Sequence, residues 1–174
     1  MSSYKIFDFD DTLVRTKAKI YVTRADGTKL KLTPGEWVVF HRQKGDQVDL
    51  RDFKSDELID PVGVAYYIKI LKNVFQAGGN VIILTARGNI KPVAKFLRSI
   101  GIRSGVSIIS ADSASSMQAA VAKARYIEEL IIKRNAESIE FFDDSPLNIQ
   151  EVEKLKSKYP DINIKTRLVP SYHR

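Results

Sequence analysis

From residue 60 onward, short apolar runs alternate with amphipathic segments of helical length. Apolar side chains recur at helical spacing from Val64 to Phe75, and Gly78 and Gly79 end that predicted helix. The elements predicted after it alternate in type: strand 81–84, helix 92–100, strand 106–109, helix 117–134, strand 139–142, helix 146–158 and strand 162–168. Strands that alternate with helices of this length favour a parallel sheet with right-handed crossovers and helices on both faces.

The N-terminal segment supplies one more strand. Residues 4–9 are largely apolar and lead into three aspartates, a pattern typical of a short buried strand that ends at a polar edge. Together with the segments after residue 60, this strand predicts a doubly wound α/β core with a central sheet of about five parallel strands.

Residues 14–60 interrupt the alternation. Two strand-like segments, 20–23 and 30–32, flank Asp26-Gly27, and this arrangement predicts a β-hairpin. The sequence Thr33-Pro34-Gly35-Glu36 has the spacing of a capping box with proline at the first helical position. It predicts a short helix that extends through Phe40.

We expect one domain with an elaboration. At 174 residues and 44% hydrophobic, the chain can bury one substantial core. The composition of residues 42–60 is charged and irregular, and all of residues 14–60 are interpreted as an insertion. The predicted organisation is a core domain of residues 1–13 and 61–174 with a small inserted α+β cap at residues 14–60.

The composition restricts the chemistry. Because the chain has no cysteine, disulfides, thiolate metal sites and thiol catalysis are excluded, and two histidines are too few for a histidine metal cluster. Any metal must bind oxygen, which favours hard cations such as Mg²⁺. No apolar run approaches the roughly 20 residues that span a bilayer, and the first residues lack the apolar stretch of a signal peptide. We expect a soluble, cytoplasmic protein with no membrane association and no stable protein partner.

The net charge of +7 is compatible with an anionic partner, but its distribution matters more than its size. Residues 15–44 hold eight Lys/Arg and two acids, whereas residues 45–60 hold two Lys/Arg and six acids, so the two stretches largely cancel. The excess in residues 61–174 is scattered at spacings typical of solvated helix faces. Charge alone therefore leaves a nucleic-acid partner open.

Polar side chains follow three of the predicted strands. They are Asp8, Asp10 and Thr12 after the first strand, Thr85 and Arg87 after strand 81–84, and Asp143 and Asp144 after strand 139–142. Because the carboxyl ends of parallel strands meet at one edge of the sheet, we expect these groups to converge. Carboxylates from two strands that meet in one place repel each other unless a divalent cation neutralises them.

These residues resemble the motifs of the haloacid dehalogenase (HAD) superfamily. Asp8-Phe9-Asp10-Asp11-Thr12 looks like its first motif, and Leu84-Thr85 resembles its second. Lys123, about twenty residues upstream of the acidic pair at the predicted start of a helix, fits the third, and Asp143-Asp144 fits the fourth. The resemblance covers nearly the whole chain except residues 14–60. It implies a Rossmann-like core and phosphohydrolase activity.

The resemblance also implies the role of each catalytic residue. Asp8 is expected to attack phosphorus and form an aspartyl-phosphate, and Asp10 to protonate the leaving oxygen and later to accept a proton from water. Thr85 and Lys123 are expected to stabilise the charge that develops on the phosphoryl oxygens. Mg²⁺ is expected on Asp8, on the backbone carbonyl of Asp10, on Asp143 and, directly or through water, on Asp144. Thr12 and Arg87 are assigned to substrate binding.

Several side chains allow a second interpretation. Arg87 either grips a substrate phosphate or pairs with a carboxylate, and Asn148 either orients the acidic loop or belongs to the polar first turn of a helix. Thr85 is also an ordinary strand-end residue in many proteins, and lysines such as Lys123 are common on solvated helices. Five aromatic residues either stack on a base or sugar or form the small core that joins the insertion to its parent domain: Trp37, Phe40, Phe53, Tyr66 and Tyr67.

The sequence therefore predicts a Mg²⁺-dependent phosphatase with a partly open site under a small cap. Its expected substrate is a phosphorylated small molecule or a nucleotide or nucleic-acid end, since the Lys/Arg-rich stretch 15–44 suits a phosphate-bearing polymer. A phosphotransferase remains an alternative within the same class. A nucleic-acid-binding or scaffold protein that keeps the fold without turnover is the alternative from another class.

Overall fold

The computed structural model describes residues 2–112 and 115–170. The strands are β1 (Ser3–Phe7), β2 (Val14–Arg15), β3 (Ile20–Thr23), β4 (Lys29–Leu32), β5 (Gln47–Asp49), β6 (Val62–Gly63), β7 (Asn80–Thr85), β8 (Ser107–Ser110), β9 (Ser138–Asp143) and β10 (Asn163–Leu168). The helices are α1 (Pro34–Val38), α2 (Arg51–Lys54), α3 (Ala65–Gln76), α4 (Lys91–Ser99), α5 (Ser116–Arg134) and α6 (Pro146–Lys158). Residues 1, 113, 114 and 171–174 of the predicted core domain lie outside the described residues.

Five strands form a parallel sheet in the order β10-β9-β1-β7-β8. The chain begins in the centre with β1, adds β7 and β8 on one side, and then adds β9 and β10 on the other. The order therefore reverses between β1 and β9. In open parallel sheets, ligands bind beyond the carboxyl ends of the strands at such a reversal. The predicted sheet of about five parallel strands is confirmed.

Helices cover both faces of this sheet. Because successive strand residues point to opposite faces, Ile6 and Phe141 pack in one apolar cluster with α5 and α6. Phe7 and Phe142 pack in a second cluster with α3 and α4, and their rings stack with centroids 4.6 Å apart. An α/β fold with helices on both faces is thus confirmed.

The elements predicted after residue 60 are all present, and their ends lie within one residue of those predicted. Their local signals are strong, since glycines at 78 and 101 follow α3 and α4 with φ of 77° and 93°, values that favour glycine. Among the described residues, no helix has the length and apolar character that crossing a membrane requires.

The first strand is shorter than predicted, because it ends at Phe7 and not at Phe9. The carbonyl of Phe9 accepts hydrogen bonds from the amides of Thr12, Leu13 and Val14 at 3.3, 2.9 and 3.3 Å, and Asp11 has φ of 61°. Local hydrogen bonds of a turn therefore replace the sheet ladder directly after Asp8. This turn carries the N-terminal aspartates.

The predicted hairpin and short helix of the insertion are both present. Strands β3 and β4 pair antiparallel, and Gly27 takes φ of 87° in their turn. Thr33 and Glu36 form the reciprocal hydrogen bonds of a capping box at the start of α1. The helix ends at Val38 because the amide of Phe40 bonds to the carbonyl of Trp37, three residues back, in a tighter turn.

Residues 42–60, whose composition is irregular, contain strand β5 and helix α2. Strand β5 pairs antiparallel with β3, with Val48 opposite Val22, and completes a three-stranded sheet. The buried carboxylate of Asp46 accepts hydrogen bonds from Arg24 Nη1 at 2.7 Å and from the amide of Gln43 at 2.8 Å. The contact with Arg24 ties the turn before β5 to a residue 22 positions away, so a local pattern does not reveal it.

The insertion leaves and rejoins the core through the two-stranded ladder of β2 and β6. Val14 lies opposite Gly63, and the carbonyl of Leu13 accepts a hydrogen bond from the amide of Val64 at 2.9 Å. The predicted limits of the insertion, residues 14 and 60, lie next to this ladder.

Candidate active site

The carboxyl ends of β1 and β9 are adjacent where the strand order reverses. The amide of Asp8 donates to the carbonyl of Phe142 at 2.9 Å, which extends the ladder one step beyond Phe7. Asp8 is thereby held beside Asp143, the last residue of β9, and both side chains are buried. Two carboxylates that were assigned from separate strand ends therefore lie next to each other.

Lys123 joins these two carboxylates. Its Nζ donates to Asp8 Oδ1 at 2.6 Å and to Asp143 Oδ2 at 2.8 Å, and its side chain is 1% exposed. Lys123 lies about two turns into α5, which begins at Ser116, and not at the start of the helix as predicted. Helical side chains point toward the N-terminal end of their helix, so this long side chain carries the ammonium group back to the strand ends.

Asp144 adds a third carboxylate. Oxygens of Asp8, Asp143 and Asp144, here called the carboxylate cluster, lie within 4.8 Å of one another. Burial and the charge of Asp143 raise the pKa of Asp8 to about 7, although Lys123 acts in the opposite direction. Burial and the charges of Asp8 and Asp143 also raise the pKa of Asp144 well above its ordinary value. Burial disfavours the charged form of Lys123, but Asp143 and Asp8 outweigh this effect and raise its pKa.

The carboxylate cluster fits a hard divalent cation. All of its donors are carboxylate oxygens, the ligands that Mg²⁺ binds in proteins. When all three carboxylates are ionised, their charge exceeds that of Lys123 by two negative units, and one divalent cation balances this excess. Burial, followed by the same repulsion, raises the pKa of Asp144.

Asp143 is fixed in place by its own loop. Its Oδ1 accepts a hydrogen bond from the amide of Ser145 at 2.8 Å, and its Oδ2 accepts one from Asn148 Nδ2 at 2.9 Å. Ser145 also caps α6 by accepting a hydrogen bond from the amide of Asn148. Asn148 therefore orients the acidic loop while it occupies the first turn of α6.

Arg87 pairs with Asp10. Its Nε donates to Asp10 Oδ2 and its Nη2 to Asp10 Oδ1, both at 2.7 Å. The guanidinium group lies 4.8 Å from the ring centroid of Phe53 and 5.9 Å from that of Phe9. Among the described residues, Nη1 of Arg87 is buried without a hydrogen-bond partner. Of the two interpretations of Arg87, pairing with a carboxylate is observed.

The two threonines assigned from the motifs are fully buried. Thr12 Oγ1 donates to Asp8 Oδ2 at 3.0 Å, so it holds the second oxygen of the proposed nucleophile. Thr85 Oγ1 accepts a hydrogen bond from the amide of Arg87 at 3.1 Å. In the structure, Thr12 thus contacts Asp8, and Thr85 positions the loop that carries Arg87.

A cavity of about 170 Å³ opens over this site. Asp8, Asp10, Lys123 and Asp144 contribute to its polar wall. The insertion supplies an apolar roof formed by Pro34, Trp37, Val38, Leu50 and Phe53. A second cavity of about 650 Å³ shares four lining residues with the first: Asp11, Pro34, Val38 and Asp144.

The five aromatic residues divide into two groups. Trp37 and Phe53 line the first cavity. Phe40 stacks on Trp37 with centroids 5.7 Å apart, Tyr67 packs edge-on against Phe142, and Tyr66 is 68% exposed. The sequence did not indicate Pro34, Val38 and Leu50 as residues of the site. The capping box locates α1, but it does not indicate which face of α1 is turned toward the core.

The carboxylate of Asp10 lies outside the carboxylate cluster, because Arg87 holds it. Its predicted contact with the metal through the backbone carbonyl stays a prediction. The described structure therefore brings together Asp8, Lys123, Asp143 and Asp144, with Asp10 and Arg87 as a separate pair in the same cavity wall.

No protein-family model matches the sequence, and no curated protein matches it. One solved structure that is similar to part of this chain is a glycosyltransferase from Rickettsia africae ESF-5, at 21% identity and a TM-score of 0.40. The match covers 62% of this chain and 26% of that protein, so this chain spans about a quarter of its length. Similarity of this degree supports no statement about the activity of this chain.

Proposed function

We propose that this chain is a Mg²⁺-dependent phosphohydrolase of the HAD type that hydrolyses a phosphate monoester through an aspartyl-phosphate on Asp8. One observation carries the proposal: the carboxylate of Asp8 lies at the strand-order reversal, bound by Lys123 and Thr12, beside Asp143. A Rossmann-like core of this strand order and an insertion that roofs the cavity are what the family resemblance implies, and they support the same proposal.

Asp8 is the proposed nucleophile. One of its oxygens forms a bond to phosphorus while the ester P–O bond breaks, which gives an aspartyl-phosphate and a leaving oxygen. Lys123 on Oδ1 and Thr12 on Oδ2 fix the plane of the carboxylate before the attack. Lys123 and the unpaired Nη1 of Arg87 stabilise the charge that spreads over the phosphoryl oxygens, with Thr85 as a further proposed donor.

Asp10 is the proposed acid and base. It gives a proton to the leaving oxygen, and in the second step it removes a proton from the water that attacks the aspartyl-phosphate, which releases phosphate and restores Asp8. Both oxygens of Asp10 accept hydrogen bonds from Arg87. Donation in the first step therefore requires Asp10 to release one of these bonds.

Asp8, Asp143 and Asp144 are the proposed Mg²⁺ ligands, with the backbone carbonyl of Asp10 as a fourth. When bound, the ion supplies positive charge that offsets the repulsion between the carboxylate nucleophile and the phosphate. Asn148 and Ser145 keep Asp143 oriented toward the carboxylate cluster.

Hydrolysis of 4-nitrophenyl phosphate tests this function. We expect activity that requires Mg²⁺, is lost with a chelator and falls at least about a thousandfold in Asp8→Asn. Asp161→Asn, at an exposed aspartate outside both cavities, is the matched control and should retain full activity. Mass spectrometry of acid-quenched protein should find the phosphoryl group on the peptide that contains Asp8. Activity that survives Asp8→Asn would refute the assignment of Asp8 as the nucleophile. Salt-sensitive binding of oligonucleotides without any turnover would favour the alternative that the chain is a nucleic-acid-binding protein.

A further inference from the structure

The polar wall of the first cavity is strongly acidic. Its lining includes five carboxylates, those of Asp8, Asp10, Asp11, Asp112 and Asp144, and two cations, Arg87 and Lys123. Both cations already hold carboxylates, since Lys123 bonds to Asp8 and Asp143 and Arg87 bonds to Asp10. Nη1 of Arg87 is buried and has no hydrogen-bond partner among the described residues. With Asp143, the six carboxylates still exceed the charge of Lys123, Arg87 and one divalent cation by two negative units, so a second anionic group on a substrate is disfavoured there.

The roof of the same cavity has the opposite character. Pro34, Trp37, Val38, Leu50 and Phe53 present apolar side chains, and two of them carry flat rings. Trp37 is held by its stacking on Phe40, and Phe53 is held against the guanidinium group of Arg87. Held rings bind another ring at little cost in side-chain entropy.

We infer that this site selects monoesters that carry a single phosphate and an aromatic ring near the ester oxygen, and that it rejects esters with a second anionic group. The inference rests on the proposed function and deepens it. The phosphoryl group lies against Asp8, while the ring of the leaving group packs under Trp37 and Phe53.

The volume of the first cavity suits a phosphoryl group with one adjacent ring. A cavity of about 170 Å³ is smaller than the roughly 300–1,000 Å³ of sites that enclose a whole drug-sized ligand, so it takes the phosphoryl group and the adjacent ring. Because both cavities are lined by Asp11, Pro34, Val38 and Asp144, a longer leaving group continues into the second cavity under α1.

The test compares phosphate esters of primary alcohols, so that the reacting bond stays the same. The value of kcat/KM for 2-phenylethyl phosphate should exceed that for ethyl phosphate by at least about tenfold, the scale that packing of an apolar group in an enzyme pocket supplies. The value for propane-1,3-diol bisphosphate should fall at least about tenfold below that for propyl phosphate. A bisphosphate cleaved as fast as propyl phosphate, or equal rates for the phenylethyl and ethyl esters, overturns the inference.

Variants of the roof identify the residue responsible. Trp37→Leu keeps an apolar side chain but removes the ring, and it should reduce the ratio of kcat/KM for the phenylethyl ester to kcat/KM for the ethyl ester to about twofold. Trp37→Phe should keep most of the preference. Tyr66→Leu, at an exposed aromatic outside both cavities, is the matched control and should match the wild type. An undiminished preference in a folded Trp37→Leu protein contradicts the inference.

The two proposals fail in different ways. If no ester is hydrolysed in a manner that depends on Asp8, the proposed function is wrong and this inference falls with it. If hydrolysis depends on Asp8 but is indifferent to the ring, to the second phosphate and to Trp37, only the inference is wrong.

Discussion

Arg87 binds both carboxylate oxygens of Asp10, with Nε and Nη2 each 2.7 Å from an oxygen. Its side chain is 1% exposed and that of Asp10 is 20% exposed, so the pair is largely removed from water. A buried bidentate pair fixes the direction of the carboxylate. The proton shuttle of the proposed reaction is therefore controlled by a residue from a different strand end.

Replacement of Arg87 should affect both stability and turnover. Arg87→Ala leaves Asp10 without these two bonds, and we expect a loss of about 3 kcal/mol in the free energy of unfolding and of about a hundredfold in kcat. Arg87→Lys should rescue little, because an ammonium group cannot reproduce the bidentate geometry. Chemical denaturation and steady-state kinetics measure these effects. Arg98→Lys, at an exposed position on α4, is the control, and equal behaviour of the two lysine variants would show that Arg87 has no positioning role.

Lys123 should be needed most when the carboxylate cluster has no cation. In Lys123→Met the buried Asp8 and Asp143 lose their shared partner, so we expect a loss of about 3–5 kcal/mol in the free energy of unfolding without divalent ions. Mg²⁺ should restore part of it, because the ion replaces the missing positive charge. Lys133→Met removes an exposed ion pair with Glu129 and should change stability by less than about 0.5 kcal/mol. Denaturant melts with Mg²⁺ and with a chelator distinguish the variants, and a small loss in Lys123→Met would contradict this account.

Much of the core could be predicted because its signals are local. Apolar periodicity and turn residues specify each element after residue 60, and alternation of strands and helices leaves a parallel sheet as the simplest arrangement. The same logic located Asp8, Asp143 and Thr85, since each directly follows or ends a strand. Local hydrogen bonds of the turn after Asp8 shortened β1, and apolar character alone did not reveal them.

What could not be predicted depends on contacts between distant residues. The pairing of β5 with β3 is accompanied by a hydrogen bond from Arg24 to Asp46, and neither residue stands out in its own segment. The sequence likewise did not decide whether Arg87 pairs with a carboxylate or binds a substrate phosphate. Its pairing with Asp10 depends on how the fold brings the two residues together. The roof over the cavity depends on how the insertion docks, which no pattern within residues 14–60 specifies.

Asn148 should tune the affinity for Mg²⁺ without contacting the ion. Its amide donates to Asp143 Oδ2 at 2.9 Å, and loss of such an orienting bond typically weakens metal binding by about 10–100-fold. We expect this loss for Asn148→Ala in calorimetric titrations with Mg²⁺. Asn163→Ala, at an exposed position at the start of β10, should bind as the wild type does. If Asn148→Ala binds Mg²⁺ as tightly as the wild type does, the hydrogen bond from Asn148 does not orient Asp143 for metal binding.

Stability without divalent ions should fall as the pH rises from about 5 to about 7.5. The pKa of Asp8 is raised to about 7 by burial and by Asp143, and that of Asp144 is raised as well, so in this range the folded state binds more protons than the unfolded state. Stability then decreases with rising pH.

Because Mg²⁺ competes with these protons, it should raise the melting temperature more at pH 7.5 than at pH 5. Thermal melts at both pH values, with Mg²⁺ or a chelator, measure this. Asp144→Asn should flatten the chelator curve, and a variant curve as steep as that of the wild type would show that the carboxylate cluster is not its source.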